Sequence, residues 1–248
     1  MSFSYCFVSI SPVRKENADP SEMVTQLLFG ELVEVLEIQQ NWTKITTFLD
    51  QYTGWVDTKH LIALTEKEHK RWLDQSIYSN HRTCELVTPW GIQFVPRGSF
   101  IGVEEEFSIG NTRFKNLQFN TDSPFDQPFE LAADYLNTPY LWGGKTPYGI
   151  DCSGLTQQVF RAFSIQLPRD AYEQAEVGQT IEFEDLEPND LAFFTNANGK
   201  VIHVGIISDD NEIIHASGHV RKDIFTSEGI IHRENKNLTH HLSAIKRL

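Results

Sequence analysis

The chain has 248 residues, 40% of them hydrophobic, and a formal net charge of −13 at pH 7. That length is generous for one compact unit and the apolar share is enough for real cores, so several domains are expected. The acidic balance excludes nucleic acid, whose phosphates demand basic patches, and works against clinging to an anionic wall, although simple solubility explains it equally.

No apolar stretch approaches the roughly 20 residues a helix needs to cross a bilayer, so no membrane partner is expected. The N-terminus, Met1-Ser2-Phe3-Ser4-Tyr5-Cys6, has neither a basic n-region nor an apolar h-region. Read as the native start, it keeps the protein in the cytoplasm; if a leader has been removed upstream, the protein is exported. Cys6, Cys84 and Cys152 are far apart, with no disulfide framework and no CxxC metal spacing, which fits a reducing compartment.

In chain order, residues 1–63 read as a small β-domain. Val24–Leu28, Leu32–Glu37, Trp42–Ile45 and Gly54–Val56 are its strands, and Gly30-Glu31 and Gln40-Asn41 punctuate its hairpins. A charged bridge at Thr65–Arg71, helical or irregular, opens a second region, 64–121. Its β-character is weaker, with turns at Thr88-Pro89, Pro96-Arg97-Gly98 and Ile109-Gly110-Asn111. Asp122-Ser123-Pro124-Phe125-Asp126-Gln127-Pro128 reads as the linker into a last domain, 122–248.

That domain carries the chemistry. Leu155, Val159, Phe160 and Phe163 form an apolar stripe at helical spacing, and Asp151 stands where an N-cap belongs. Cys152 therefore falls in the first turn, where unpaired N–H groups and the helix dipole are expected to lower a thiol's pKa. A buried structural cysteine is the plain alternative. Further on, Val201–Ile207 and Glu212–Ser217 are β-branched runs containing His203 and His215, joined by a turn at Ser208-Asp209-Asp210-Asn211. Paired antiparallel, they set the two imidazoles near one another. A helix cysteine, a strand histidine to move its proton and a third polar group to orient that histidine make the minimal thiol-hydrolase arrangement. The same three side chains suit zinc in principle, but no fourth ligand of suitable spacing is evident.

From about Leu131 to Leu248 the chain resembles the NlpC/P60 cell-wall peptidases, papain-like cysteine hydrolases. The resemblance rests on Tyr140-Leu141-Trp142-Gly143-Gly144, Asp151-Cys152-Ser153-Gly154, Pro168-Arg169-Asp170, Gly178, His203-Val204-Gly205-Ile206 and Ile214-His215-Ala216. Upstream, Gly30, Trp42 and Gly54-Trp55-Val56 resemble the bacterial SH3 barrel, and the second region is read as a divergent copy. The implied fold is α+β, a papain-like catalytic domain preceded by two small SH3-like β-barrels.

Within the family the chain looks most like γ-D-glutamyl-L-diamino acid endopeptidases acting on free murein peptides. The resemblance implies an oxyanion contact from the Tyr140 hydroxyl beside the backbone N–H of Cys152. It implies that Asp170, Glu22 and Tyr52 receive the free N-terminal amine of an L-Ala-γ-D-Glu peptide. Ser153 and Trp142 are implied substrate contacts, with helix capping and packing as their respective alternatives. Arg169 is read as a structural ion pair rather than a carboxylate binder. Where relatives often carry serine after the aspartate, this chain has Ala171, which puts one substrate hydrogen bond in question. No cofactor or metal is implied, and a monomer is expected. Two other readings stand beside this one: a wall-binding module with an inactive catalytic domain, and an amidase or acyltransferase on the same fold.

Overall fold

The computed structural model describes residues 2–118, 125–208 and 211–248. The chain divides into two compact units, Met1–Ser123 and Pro124–Leu248.

The first unit opens with β1 (Ser2–Cys6), β2 (Ile10–Arg14), β3 (Met23–Leu28), β4 (Leu32–Gln39), β5 (Trp42–Thr47), β6 (Thr53–Asp57) and β7 (Leu61–Leu64). They form one sheet in the order β3-β2-β6-β5-β4-β1-β7. β3 to β6 are the strands expected from hydrophobic alternation, as in β5, where Thr43, Ile45 and Thr47 are buried and their neighbours half-buried. β1, β2 and β7 carry weaker local signals, and tertiary pairing makes them strands. β1 lies between β4 and β7 with Tyr5 and Cys6 fully buried.

Next comes α1 (Glu66–Gln75), so the charged bridge is a helix. Thr65 caps it in a reciprocal box: the Glu68 carboxylate accepts from the Thr65 N–H at 2.8 Å while the Glu68 N–H donates to Thr65 Oγ1. Trp72, buried on its inner face, donates its indole N–H to the Gly30 carbonyl at 2.8 Å. β8 (Ser76–Tyr78), β9 (Thr83–Thr88), β10 (Gly91–Pro96), β11 (Phe100–Gly102), β12 (Glu106–Ile109) and β13 (Thr112–Asn116) follow. They form a four-stranded sheet, β10-β9-β13-β12, and a β11-β8 pair. Tyr5, Phe29, Trp72, Leu86 and Phe114 belong to one core, so both β-regions of this unit share a hydrophobic cluster.

Of the expected linker, Asp122, Ser123 and Pro124 lie outside the described residues, as do Asp209 and Asp210 of the hairpin turn. The second unit contains α2 (Pro128–Ala133), β14 (Lys145–Thr146), β15 (Gly149–Ile150), α3 (Cys152–Ala162) and α4 (Ala171–Gln174). Then come β16 (Gln179–Thr180), β17 (Leu191–Thr195), β18 (Val201–Ile207), β19 (Glu212–Ser217), β20 (His219–Thr226), β21 (Gly229–Ile231) and β22 (Leu238–Arg247). The sheet runs β16-β22-β17-β18-β19-β20-β21, and β21 also pairs with β22, closing the strands from β17 to β22 into a ring. Alternation splits its side chains. Leu191, Phe193, Val204, Ile206 and Ile214 pack with Leu155 and Val159 of α3. Ala192, Phe194, Ile207, Ile213 and Phe225 build a second core.

Candidate active site

Asp151 caps α3, and its carboxylate organises everything around the cysteine. One oxygen accepts the Gly154 N–H at 2.7 Å and the other the Gly143 N–H at 2.8 Å. Arg169, only 1% exposed, donates to both oxygens at 3.0 and 2.7 Å and to Ser153 Oγ at 3.0 Å. Arg169 therefore has the structural role expected of it, and Ser153 is held by the same cluster. Gly154 is required by crowding, since a Cβ there would sit 2.3 Å from the Gly144 carbonyl oxygen. Gln174, fully buried, donates to the carbonyls of Ser153 (3.0 Å) and Pro168 (2.8 Å), tying the Arg169-Asp170 loop to α3.

Cys152 is buried at the start of α3, and backbone groups of Val204 and Ser153 hydrogen-bond its sulfur. Those contacts favour the thiolate, as the sequence reading anticipated, but they do not dominate. Burial first, and the Asp151 carboxylate second, push the thiol up to about 12. The expectation that the helix start by itself depresses this pKa is therefore corrected. Buried His203 moves the opposite way: desolvation, then His215 and His240, lower it well below an ordinary imidazole. A lone thiolate and a lone imidazolium are each disfavoured here. A proton passed from the thiol to the imidazole would let the two charges arise together as a pair.

The hydrogen-bond chain behind His203 determines which nitrogen takes that proton. His203 Nε2 lies 2.8 Å from His215 Nδ1, and His215 Nε2 lies 3.1 Å from Asp223 Oδ2. Burial works to raise the Asp223 carboxyl, yet the His215 bond, the Arg233 N–H and Arg221 together hold it far below the usual range. As an anion Asp223 can only accept, so His215 carries its proton on Nε2 and offers a bare Nδ1. His203 Nε2–H then donates to that lone pair, which leaves His203 Nδ1 unprotonated and basic. Gly205 allows the approach: it pairs with His215 across the strands, and a Cβ on it would meet Ile213 at 2.7 Å and His215 Cβ at 3.0 Å.

Asp223 and His240 were missed in the sequence. Asp223 sits in Arg221-Lys222-Asp223, which looks like a charged surface turn until the β19–β20 register places it opposite Ile213, on the face of the second core. His240 lies beyond the last motif, and its ring stacks on His203 at 4.3 Å with the planes 24° apart. Nitrogens of His203, His215 and His240 come within 4.8 Å of one another. Two stacked rings, however, aim their in-plane lone pairs side by side and not at a common point, so this arrangement does not suit a metal.

Tyr140 is half-buried, bridged to Ile150, and close enough to Cys152 and Asp151 that, after burial, these groups raise its hydroxyl's pKa. It remains a neutral donor at the cysteine. Trp142 is 59% exposed. Asp170 occupies the N-cap position of α4, is half-buried, and shares a hydrogen bond with the Tyr172 hydroxyl. Glu22 and Tyr52 belong to the first unit. Glu22 is exposed with Lys15 at 3.7 Å, and Tyr52 is half-buried just before β6.

The sequence pattern of the NlpC/P60 family matches residues 137–239, and that of the bacterial dipeptidyl-peptidase Sh3 domain matches residues 13–61. The gamma-D-glutamyl-L-lysine dipeptidyl-peptidase of Bacillus subtilis is 37% identical over 216 residues, covering 77% of this chain and 71% of that protein. The chain belongs to the NlpC/P60 family. The protein of the same name from Bacillus cereus is 27% identical over 79% of this chain and 68% of its own length. A crystal structure of an NlpC/P60 family protein from Bacillus cereus superposes with a TM-score of 0.81 over 99% of both chains at 19% identity, a likeness of fold. The α+β reading, with an SH3-like region ahead of an NlpC/P60 catalytic domain, is thus correct. The family assignment makes the protein a cysteine peptidase, and its named relatives link it to γ-glutamyl bonds.

Proposed function

We propose that this NlpC/P60 peptidase is an endopeptidase for free murein peptides, cutting the γ-D-glutamyl–diamino acid bond of substrates such as L-Ala-γ-D-Glu-diaminopimelate. The observation that carries the reading is the buried relay from Asp223 through His215 to His203, beside a helix-start cysteine that hydrogen-bonds to Val204. Cys152 Sγ attacks the γ-carbonyl carbon as its proton passes to His203 Nδ1, and the oxyanion takes the Cys152 N–H and the Tyr140 hydroxyl. The imidazolium gives its proton to the leaving amine, and a thioester remains. Water attacks the thioester, its proton goes to His203, and the proton returns to sulfur as the acid leaves.

Asp170, a half-buried carboxylate at the start of α4, supports the choice of a free amine. An ammonium paired with carboxylates discriminates strongly, because an acetylated amine leaves those carboxylates without a partner. The protein acts as a monomer on released peptides and not on intact wall. The test compares L-Ala-γ-D-Glu-diaminopimelate, its lysine counterpart and its N-acetyl form by product analysis. Cleavage at the γ-glutamyl bond is expected, with kcat/KM on the order of a thousandfold lower after acetylation. Comparable hydrolysis of the acetylated peptide, or release of peptides from intact sacculi, would refute the amine-dependent reading.

A further inference from the structure

A single hydrogen bond to His215 fixes one nitrogen of His203 but does not by itself fix the plane of its ring. A base whose Nδ1 must point at a thiol needs a second constraint. The structure holds one in β22, where the His240 ring lies flat on His203, centroids 4.3 Å and planes 24° apart. The same ring meets the His215 ring at 5.7 Å and 86° and Phe194 at 5.9 Å and 66°, so it is seated by edge contacts on two sides. Thr239 Oγ1 lies 2.9 Å from His240 Nδ1 and anchors it. Burial, then His215, lower the His240 pKa to about 4 against the pull of Asp223, which keeps the ring neutral at pH 7. A flat aromatic face stacked on the imidazole opposes its tilting.

We propose that His240 is a positioning residue for His203, fixing the plane of its ring so that Nδ1 stays aimed at Cys152. The proposal rests on the cysteine-peptidase reading of the site. Its test uses His240→Leu, which keeps bulk but removes the flat face, and His240→Phe, which restores the face without a titrating group. Two measurements are made: kcat and KM on L-Ala-γ-D-Glu-diaminopimelate, and the rate of Cys152 alkylation by iodoacetamide without substrate. For His240→Leu, kcat and the alkylation rate should both fall, on the order of tenfold to a hundredfold, with KM within about twofold. His240→Phe should recover both rates to within about threefold. Melting temperatures of both variants distinguish a positioning loss from misfolding. Wild-type rates in His240→Leu, or equal impairment in the two variants at matched stability, would overturn the proposal. Failure of the wild type to cleave the peptide would defeat the substrate reading instead, and the alkylation rates would still decide the role of His240.

Discussion

Nε2 of His203 and Nδ1 of His215 are 2.8 Å apart, and this bond divides the labour of the two imidazoles. His203 has one nitrogen bonded to His215 and in the proposed mechanism offers the other to the thiol, whereas His215 has both nitrogens committed, one to His203 and one to Asp223. Replacing His203 by alanine removes the proton carrier and should cost kcat several orders of magnitude. His215→Ala should cost less, and Asp223→Asn roughly a hundredfold, because an amide lets His215 adopt the wrong tautomer. Steady-state kinetics give the ranking. A more damaging His215→Ala would mean the roles are reversed.

Thiol reactivity gives a separate handle on the same pair. Cys152→Ser should abolish turnover with the fold intact, while Cys6→Ser and Cys84→Ser should stay near wild type. Because burial pushes the thiol up to about 12, the proposed mechanism makes Cys152 depend on His203 for its thiolate. Iodoacetamide should therefore modify Cys152 near neutral pH in the wild type and only under strongly alkaline conditions in His203→Ala. Identical pH profiles would show that the helix start activates the thiol without help.

Asp223 also links stability to pH. Its folded pKa is depressed below the unfolded carboxylate value of roughly 4, so its stabilisation is complete above that value. It is lost progressively as pH falls from there through the folded pKa. Acid unfolding followed by circular dichroism should show a shallower pH dependence below about 4 in Asp223→Asn than in the wild type. Parallel curves would contradict the assignment.

Arg169 and Asp151 form a bidentate pair out of contact with solvent. Arg169→Met strands a buried carboxylate and should destabilise the protein by about 3–5 kcal/mol in denaturant titrations. Arg169→Lys keeps the charge but loses the fork, so its loss should be intermediate. A neutral Arg169→Met would mean that the Gly143 and Gly154 N–H groups satisfy Asp151 by themselves.

Gly205→Ala tests the space that His215 needs. A methyl group 3.0 Å from His215 Cβ and 2.7 Å from Ile213 must displace one of them, costing about 1–3 kcal/mol. Activity should fall beyond what the stability loss explains, since the displaced group holds the triad. Unchanged kcat would place the strain on Ile213 alone.

Cys152 with its helix, and His203 and His215 with their strands, were legible because each depends on local pattern: a cap, a helical stripe, two β-branched runs. Strands β3 to β6 were legible for the same reason. β1 was not, because Ser2–Cys6 has little periodicity of its own and is a strand only between β4 and β7. Asp223 and His240 carry no local signal either. Strand register brings one opposite Ile213 and ring closure brings the other, through β22, onto His203. The direction of the thiol's pKa was likewise outside the sequence. A helix terminus is a local feature that can be read from spacing, whereas burial is a sum over everything packed around the sulfur. The sequence by itself determined that Cys152 opens a helix and that His203 and His215 lie on paired strands; the tertiary structure decided their protonation, their tautomers and the rings that hold them, because desolvation and long-range pairing exist only once the chain has folded.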